Sequence, residues 1–486
     1  MRLQHLISEL EIVNRNKEAG NIEIKGIADS SLDVQDDYVF VAIKGFQLDG
    51  HAYIEEAIYK GASVIIGEQD LSHVSKPYIQ VKNSRKALGI IASSFYGHPT
   101  SQKIMIGITG TNGKTTTSYI LKHILESNGY SCSLIGTIQN VVNGEVTPSM
   151  NSTPSPLQLQ KLLATSNDSV VIMEVSSHGL TQYRVEGLEF DYCLFTNLNH
   201  DHLDYHGSME AYFEAKVKLF EKLKENGMAV INTDDSWGKK LLVKLQSEGK
   251  RCYTIGQSND NRLQLTHINA GDSLVVVKEA DDSRFIQSPM IGIHNIYNTV
   301  MAYATANFFP INKNYITESI NDFQGVNGRF EMTKLSNGAT VVVDYAHTPD
   351  AIFHCLNTAR YYGAKSITHV FGFRGDRDSG KRKEMLSIIA EKSDQYILTL
   401  DDLNSISMNE MEETLHYLHE TYGNEKGKVI LDRTLAIKHA IEHSESEQWI
   451  FLTGKGHEKY QQTYKLPTQS DKETIEYLTI AQNLVE

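Results

Sequence analysis

Ile104-Met105-Ile106-Gly107-Ile108-Thr109-Gly110-Thr111-Asn112-Gly113-Lys114-Thr115-Thr116 is the stretch on which the fold turns. Its apolar start has the length of a buried strand and breaks at a glycine-rich turn. From Thr115 to Glu126, Ile120, Leu121, Ile124 and Leu125 recur at a helical period, and Asn128-Gly129 supplies a C-terminal stop. A strand, a glycine loop and a helix opening on Lys-Thr make a phosphate cradle. Gly110 and Gly113 let backbone N–H groups approach the oxygens, and the helix N-terminus favours negative charge. Lys114 neutralises that charge, and Thr115 can reach a bound Mg²⁺. The spacing is tighter than the Walker pattern, whose first glycine would fall at Ile108.

Outward from this loop the chain reads as α/β throughout. Residues 1–98 hold strand-like runs at 38–43, 62–66 and 78–81 with helical stretches at 51–60 and 84–96, and Gly97-His-Pro-Thr100 breaks the chain before the loop strand. Residues 99–328 alternate strand and helix, as a mostly parallel sheet requires. Two strands there run straight into polar residues: Val170–Met173 into Glu174-Val-Ser-Ser-His178, and Tyr192–Phe195 into Thr196-Asn-Leu-Asn-His-Asp-His202. Residues 329–486 repeat the pattern, with strands leading into Asp344-Tyr-Ala-His347, Gly372–Asp378, Asp401–Asn404 and Gly454–Glu458. Ligand chemistry in open α/β sheets collects at such carboxyl ends, so a nucleotide surface and a second, closing ligand surface are expected.

Three residues stand out. Glu174, leaving a strand beside the loop, suits a Mg²⁺ ligand or a cap, and His202 sits in a polar turn with the same two readings. On a helix drawn from Met209 to Leu223, Met209, Phe213, Phe220 and Leu223 share an apolar face, and Lys216 falls at its centre while Lys218 and Lys222 point away. Such a lysine either snorkels outward or is a buried, reactive amine. Further on, Gly292–Asn298 reads as an amide-rich turn before an apolar helix at 300–308.

Composition excludes several classes. At 486 residues more than one domain is expected, with 40% apolar and 22% charged residues as in ordinary globular proteins. The 46 basic against 60 acidic residues, a formal charge of −14, argue against a nucleic-acid or anionic-membrane binder. Local cations can still capture an anionic small substrate, because charge fields are screened over about 10 Å. The charged N-terminus is no signal peptide, and no run approaches the roughly 20 apolar residues of a membrane span. Cys132, Cys193, Cys252 and Cys355 have no metal or redox spacing, which points to a cytoplasmic protein.

Taken together, these motifs resemble the Mur ligases over essentially the whole chain, and most of all the branch that adds the third peptide residue to UDP-N-acetylmuramoyl-L-alanyl-D-glutamate. The resemblance implies an N-terminal UDP-substrate domain (1–98), a central P-loop ATP domain (99–328) and a Rossmann-like amino-acid domain (329–486). It implies ATP and Mg²⁺ as cofactors, a monomer, and a role in peptidoglycan synthesis and so in cell shape and division. Gly110, Thr111, Asn112, Gly113, Lys114, Thr115 and Thr116 become the ATP loop, with Asn295, Arg329 and Asp344 as further nucleotide contacts. Thr115, Glu174, His202 and a carbamylated Lys216 become Mg²⁺ ligands. Ser152, Thr153, Ser176, Gln182 and Arg184 match muramyl-dipeptide contacts, and Ser30 and Gln47 the uridine pocket, although Ser31 and Phe46 depart from the usual arginine and histidine.

The implied chemistry is acyl activation: a γ-carboxylate attacks the ATP γ-phosphate, and the incoming amine expels phosphate from the acyl phosphate. Arg377, Asp401, Asn404, Gly454 and Glu458 match the amino-acid contacts. Diaminopimelate-adding members carry Asp-Asn-Pro-Arg and lysine-adding ones usually Asp-Asn-Pro-Ala, where this chain has Asp401-Asp402-Leu403-Asn404. The absent arginine leaves the added amino acid open, as losing a bidentate grip weakens a second carboxylate. The rivals are a same-fold ligase acting on a non-cell-wall acyl acceptor, a nucleotide-binding regulator and a P-loop kinase.

Overall fold

The computed structural model describes residues 1–17, 21–45, 48–71 and 73–483. They fall into two compact units: Met1–Thr109 with Tyr130–Cys193 and Ala215–Met228, and Gly110–Gly129 with Leu194–Glu214 and Ala229–Glu486.

The first unit contains a five-stranded sheet in the order Ile12–Arg15, Tyr78–Val81, Ala62–Gly67, Tyr38–Val41, Gly26–Ala28. Only its first pairing is antiparallel. Side chains alternate across it: Val39, Val41, Val64 and Ile66 enter one core, and Phe40, Ala42 and Ile65 the other. The loop strand Ile104–Thr109 pairs in parallel with Val170–Glu174, which pairs in parallel with Cys132–Ile135. These strands are buried along almost their whole length, which is why their sequences are continuously apolar. Two further strands, Gln139–Val142 and Glu145–Pro148, add an antiparallel hairpin closed by Asn143-Gly144, and nothing in their apolar pattern announces it.

The helix drawn from Met209 to Leu223 is shorter than its periodicity suggests. It ends at Val217, a 3₁₀ turn covers Phe220–Lys222, and Leu223 opens the strand Leu223–Asn232. Phe220 and Leu223 therefore do not continue its apolar face: i,i+3 spacing also suits a 3₁₀ turn, and pairing of the apolar run that follows overrides the helical period. Lys216 is buried all the same, at 1% exposure. Lys218 and Lys222 do not point to open solvent: Lys218 Nζ lies 5.6 Å from the Tyr183 ring centroid, and Lys222 pairs with Glu186 at 2.7 Å.

In the second unit the helix Lys114–Ser127 packs against Ile293–Ala306. Residues 293–298 belong to that second helix and are not a turn. Gly292, at φ +99°, turns the chain immediately before it, and the Asn295 amide donates back to the Ile291 carbonyl at 2.8 Å inside the first turn. Strands Arg251–Gly256, Leu263–Asn269, Leu274–Glu279 and Asp282–Gln287 follow one another, the last two antiparallel.

The C-terminal sheet has six strands in the order Glu331–Lys334, Thr340–Asp344, Gln448–Thr453, Ser366–Phe371, Gln395–Leu398, Gly427–Val429. All but the first pairing are parallel. The registers pair Asp344 with Thr453 and Phe371 with Leu398, so the four polar turns noted in the sequence leave the sheet at one edge. The two short outer strands carry little apolar signal, and edge positions demand little.

Candidate functional site

In the second unit the glycine loop is shaped by its neighbours. Gly113 has φ +88° and caps the helix, and a Cβ there would fall on Asn298 Oδ1. Gly110 has φ +150°, and a Cβ there would fall on Thr196 Oγ1. Glycine is required at both positions. The loop is fastened from 194–199: Asn112 N donates to Asn197 Oδ1 at 2.9 Å, and Thr196 Oγ1 donates to the Asn112 carbonyl at 2.7 Å. Lys114 Nζ folds onto the carbonyls of Gly110 and Thr111, both at 2.9 Å. Thr115 Oγ1 accepts from Arg329 Nη2 at 3.1 Å. Thr116 is buried behind the loop. Asn295 belongs to the helix packed on the loop helix, and its Oδ1 accepts from Asn298 at 3.3 Å.

The carboxyl edge of the C-terminal sheet continues from there. Asp344 accepts from the backbone N–H groups of Phe330 and Ala346, both at 2.7 Å, and burial pushes its carboxyl upward against the pull of Arg329. Beside it lies a cavity of about 90 Å³ whose lining includes Asp201, His202, Tyr345, Arg374, Arg377 and Lys381. Asp201, 3% exposed, is the hub of its upper wall: Lys381 donates to it at 2.7 Å, with His202 at 3.3 Å and His347 at 3.5 Å. Burial alone would raise the Asp201 carboxyl, but His347, His202 and Lys381 together hold it well below the usual carboxylate range.

The residues matched to amino-acid contacts divide in two. Arg377 is exposed and lines the cavity. The others are engaged within the protein. Glu458 and the Gly454 carbonyl both take Arg374, the carbonyl at 3.1 Å. Asp401 is buried against Arg374 and Lys455, each at 3.6 Å, and these cations with Arg433 overcome burial and lower its carboxyl. Asn404 Nδ2 donates to the Gly375 carbonyl at 2.6 Å, and Ser405 N donates to Asp376 at 2.8 Å, so two of the edge turns are stitched together. Asp402 takes the buried Lys455.

In the first unit, Ser152, Thr153, Glu174, Ser176, Gln182 and Arg184 form one hydrogen-bonded network. Arg184 donates to the Thr153 carbonyl at 2.8 Å and to Gln182 Oε1 at 2.8 and 3.2 Å. Thr153 Oγ1 donates to the Glu174 carbonyl at 3.0 Å and meets Ser176 Oγ at 3.2 Å. The Glu174 carboxylate is fully buried and accepts from Thr137 twice, from N at 3.0 Å and from Oγ1 at 2.7 Å, and Thr137 Oγ1 also meets Ser152 Oγ at 2.8 Å. Ser30 caps a short turn, its Oγ accepting from Leu32 N at 3.2 Å. Gln47 lies outside the described residues.

Three residues escape the sequence reading: Thr137, Arg374 and Tyr345. Thr137 follows the strand Cys132–Ile135 just as Glu174 ends its neighbour, and that shared position is the only signal. Arg374 lies in the quoted Gly372–Asp378 turn, where Arg377 takes the eye. Among the described residues no group of three or more His, Cys, Asp or Glu side chains is arranged to hold a metal by itself. No described helix is long and apolar enough to cross a membrane.

The comparisons agree in one direction. Residues 23–96 match the Mur ligase family catalytic domain, 108–306 the Mur ligase middle domain, and 328–456 the Mur ligase glutamate ligase domain. The UDP-N-acetylmuramoyl-L-alanyl-D-glutamate–2,6-diaminopimelate ligase of Caldanaerobacter subterraneus is 38% identical over 91% of each chain. The protein of the same name from Clostridioides difficile is 37% identical over 98% of each. Among solved structures, one of a ligase with that name superposes with a TM-score of 0.70 at 26% identity, covering 99% of both chains. The MurF ligase of Thermotoga maritima, solved with ADP, shares the fold at a TM-score of 0.62 and 19% identity, over 88% of this chain and 93% of its own. A phosphate-type glycine loop, a cavity at the carboxyl edge of a parallel sheet and these matches along the chain have one common explanation: the chain belongs to the Mur ligase family.

Proposed function

We propose that this Mur ligase uses ATP to join an amino acid to UDP-N-acetylmuramoyl-L-alanyl-D-glutamate in peptidoglycan precursor synthesis. It is an enzyme forming a carbon–nitrogen bond, and relatives covering nearly the whole chain carry that activity in their names. The observation that carries the reading lies within the second unit. One segment, 196–202, serves both the glycine loop and the cavity: Thr196 and Asn197 fasten the loop, and Asp201 and His202 line the cavity, where Asp201 takes Lys381.

In this reading residues 1–98 take the uridine nucleotide, 99–328 ATP and 329–486 the amino acid. Lys114 releases the loop carbonyls to meet the phosphates, the backbone N–H groups of 110–116 cradle them, and Arg329 turns from Thr115 toward transferring charge. Asn295 and Asp344 complete the nucleotide contacts. Arg184, with Ser152, Thr153, Ser176 and Gln182, orients the dipeptide so that its γ-carboxylate attacks the γ-phosphate, and the acceptor amine then displaces phosphate from the acyl phosphate. The protein's work is positioning and charge stabilisation.

Mg²⁺ suits the donors available. Thr115 offers a hydroxyl, Glu174 a carboxylate and Lys216, once carbamylated, another, all oxygens as a hard cation prefers, and His202 offers an imidazole nitrogen. Lys216 is 1% exposed, and carbamylation would replace its amine by a carboxylate. When bound, the ion would offset phosphate charge.

Diaminopimelate heads the candidates for the amino acid, because the relatives are named for it. A second reading comes from the 401–404 turn. It carries no cation, Asn404 is engaged by Gly375 and Asp402 by Lys455. An acceptor with one carboxylate, held at Arg377, fits that turn better than one with two. Phosphate release with ATP, Mg²⁺ and the UDP-dipeptide, screened against diaminopimelate, lysine, ornithine and neutral amino acids with products weighed by mass spectrometry, tests both. Silence across the panel would overturn the cell-wall substrate.

A further inference from the structure

Tyr345 is assigned no part in the chemistry above, yet its ring gathers charges from both sides of the site. The Arg329 guanidinium carbon lies 4.4 Å from the ring centroid and that of Arg374 lies 5.5 Å away. Its hydroxyl donates to Glu458 Oε1 at 3.1 Å and accepts from Arg374 Nη1 at 3.4 Å. The residue is half-buried and lines the acceptor cavity. Burial pushes the phenol up to about 12, so at neutral pH it is a standing donor to the Glu458 carboxylate.

The two arginines are balanced differently. Arg374 has carboxylates, Glu458 and Asp401, to offset its charge. Arg329 has the Thr115 hydroxyl and no carboxylate within ion-pair distance among the described residues, and the buried Nε of each arginine finds no hydrogen-bond partner there. Asp344 draws on Arg329 only through space. The aromatic face therefore joins the Thr115 hydroxyl in orienting Arg329, and cation–π attraction is strongest where water is thinned. A tyrosine serving only as filler would need neither a hydroxyl between two charged groups nor a place on the cavity wall.

We propose that Tyr345 is a positioning residue that serves both halves of the site, its ring setting Arg329 for the nucleotide and its hydroxyl setting the Arg374–Glu458 pair for the acceptor. The proposal rests on the functional reading above. In that reaction the activated carboxyl and the incoming amine must be aligned together, and one residue serves both sides through two separate contacts, its ring face on Arg329 and its hydroxyl on Glu458 and Arg374.

Two substitutions separate the roles. Tyr345→Phe keeps the ring and removes the hydroxyl. The KM for the acceptor should rise roughly tenfold, the effect of losing a hydrogen bond to a charged group, with the KM for ATP unchanged. Tyr345→Leu removes both, and the KM for ATP should rise as well, on the order of tenfold. Arg329→Lys, which keeps the charge but loses the planar stack, should raise only the KM for ATP and reads the ring contact even if the leucine variant fails to fold. Equal effects of Tyr345→Phe and Tyr345→Leu on both constants, or an unchanged acceptor KM in Tyr345→Phe, would overturn this double role. If the unaltered enzyme releases no phosphate with any acceptor, the functional reading fails separately. ADP titration calorimetry on the wild type, Tyr345→Leu and Arg329→Lys then still decides the ring's part: weaker binding in the variants upholds it and equal binding removes it.

Discussion

Replacing Thr137 by valine keeps the side chain's shape and removes one hydroxyl, the one 2.7 Å from a fully buried Glu174 carboxylate oxygen. Thr137 N still serves the other oxygen at 3.0 Å, so the carboxylate keeps half its support from this residue. Hydrogen bonds to charged groups contribute about 1.5–3 kcal/mol, so a loss of about 2 kcal/mol is expected. With a urea dependence of about 3 kcal/mol/M, that loss moves the unfolding midpoint of the first unit down by about 0.7 M, readable by circular dichroism. Glu174 would also be held less firmly as a metal ligand. The Mg²⁺ concentration giving half-maximal phosphate release should rise about tenfold, as supporting hydrogen bonds to ligands usually demand. A midpoint within about 0.2 M of wild type, which corresponds to well under 1 kcal/mol, would refute the view that Thr137 holds Glu174. A normal midpoint shift with unaltered Mg²⁺ requirement would instead remove Glu174 from the metal site.

Other perturbations probe the loop, the carbamate, the acceptor turn and a buried histidine. Gly113→Ala puts a methyl group on Asn298 Oδ1 at φ +88°, and misplacing the loop should cut ATP-dependent phosphate release about a hundredfold while far-ultraviolet circular dichroism is unchanged; near-normal turnover would disprove the tight fit. Lys216→Ala should be inactive and regain turnover with added short-chain carboxylic acids that replace the carbamate; full activity without them would sink the carbamate. Asn404→Arg frees the Gly375 carbonyl and adds a guanidinium, and selectivity for diaminopimelate over lysine should rise about tenfold in competition assays; no change would place the distal end of the acceptor elsewhere. His369 is buried and pressed down to about 3 by burial and by Arg433, so it stays neutral in the fold while the unfolded chain protonates near pH 6.5. Its contribution to stability is whole above that pH and is lost as pH falls toward about 3, near 1.4 kcal/mol per unit, or about 2 kcal/mol by pH 5. Urea midpoints at pH 7 and pH 5 should converge in His369→Gln relative to wild type, and an identical pH slope would exclude this histidine.

Much of the molecule can be read from its letters because the deciding signals are local. The run 104–109 is too apolar for anything but a covered strand, and Gly110, Gly113 and Lys114-Thr115 carry a loop chemistry that depends on neighbours in sequence. The four polar turns at 344, 372, 401 and 454 announce a common edge because parallel strands must place their carboxyl ends together. What the letters leave open depends on partners far along the chain. The Met209 helix stops at Val217, where the chain passes through a 3₁₀ turn at Phe220–Lys222 into the strand begun at Leu223. The asparagines at 295 and 298 join a helix because Gly292 turns the backbone before them. Glu174 is seen at once, but its support from Thr137 comes from the turn after a neighbouring strand, 37 residues away. Arg377 is visible as a cation in a turn, whereas Arg374 and Tyr345 gain their roles only when Arg329, Glu458 and Asp401 arrive from other turns of the sheet. Periodicity and glycine placement are backbone preferences, determined by the sequence itself. Which charges meet, and which remain free for a substrate, is decided only by side-chain packing between segments that the sequence keeps far apart.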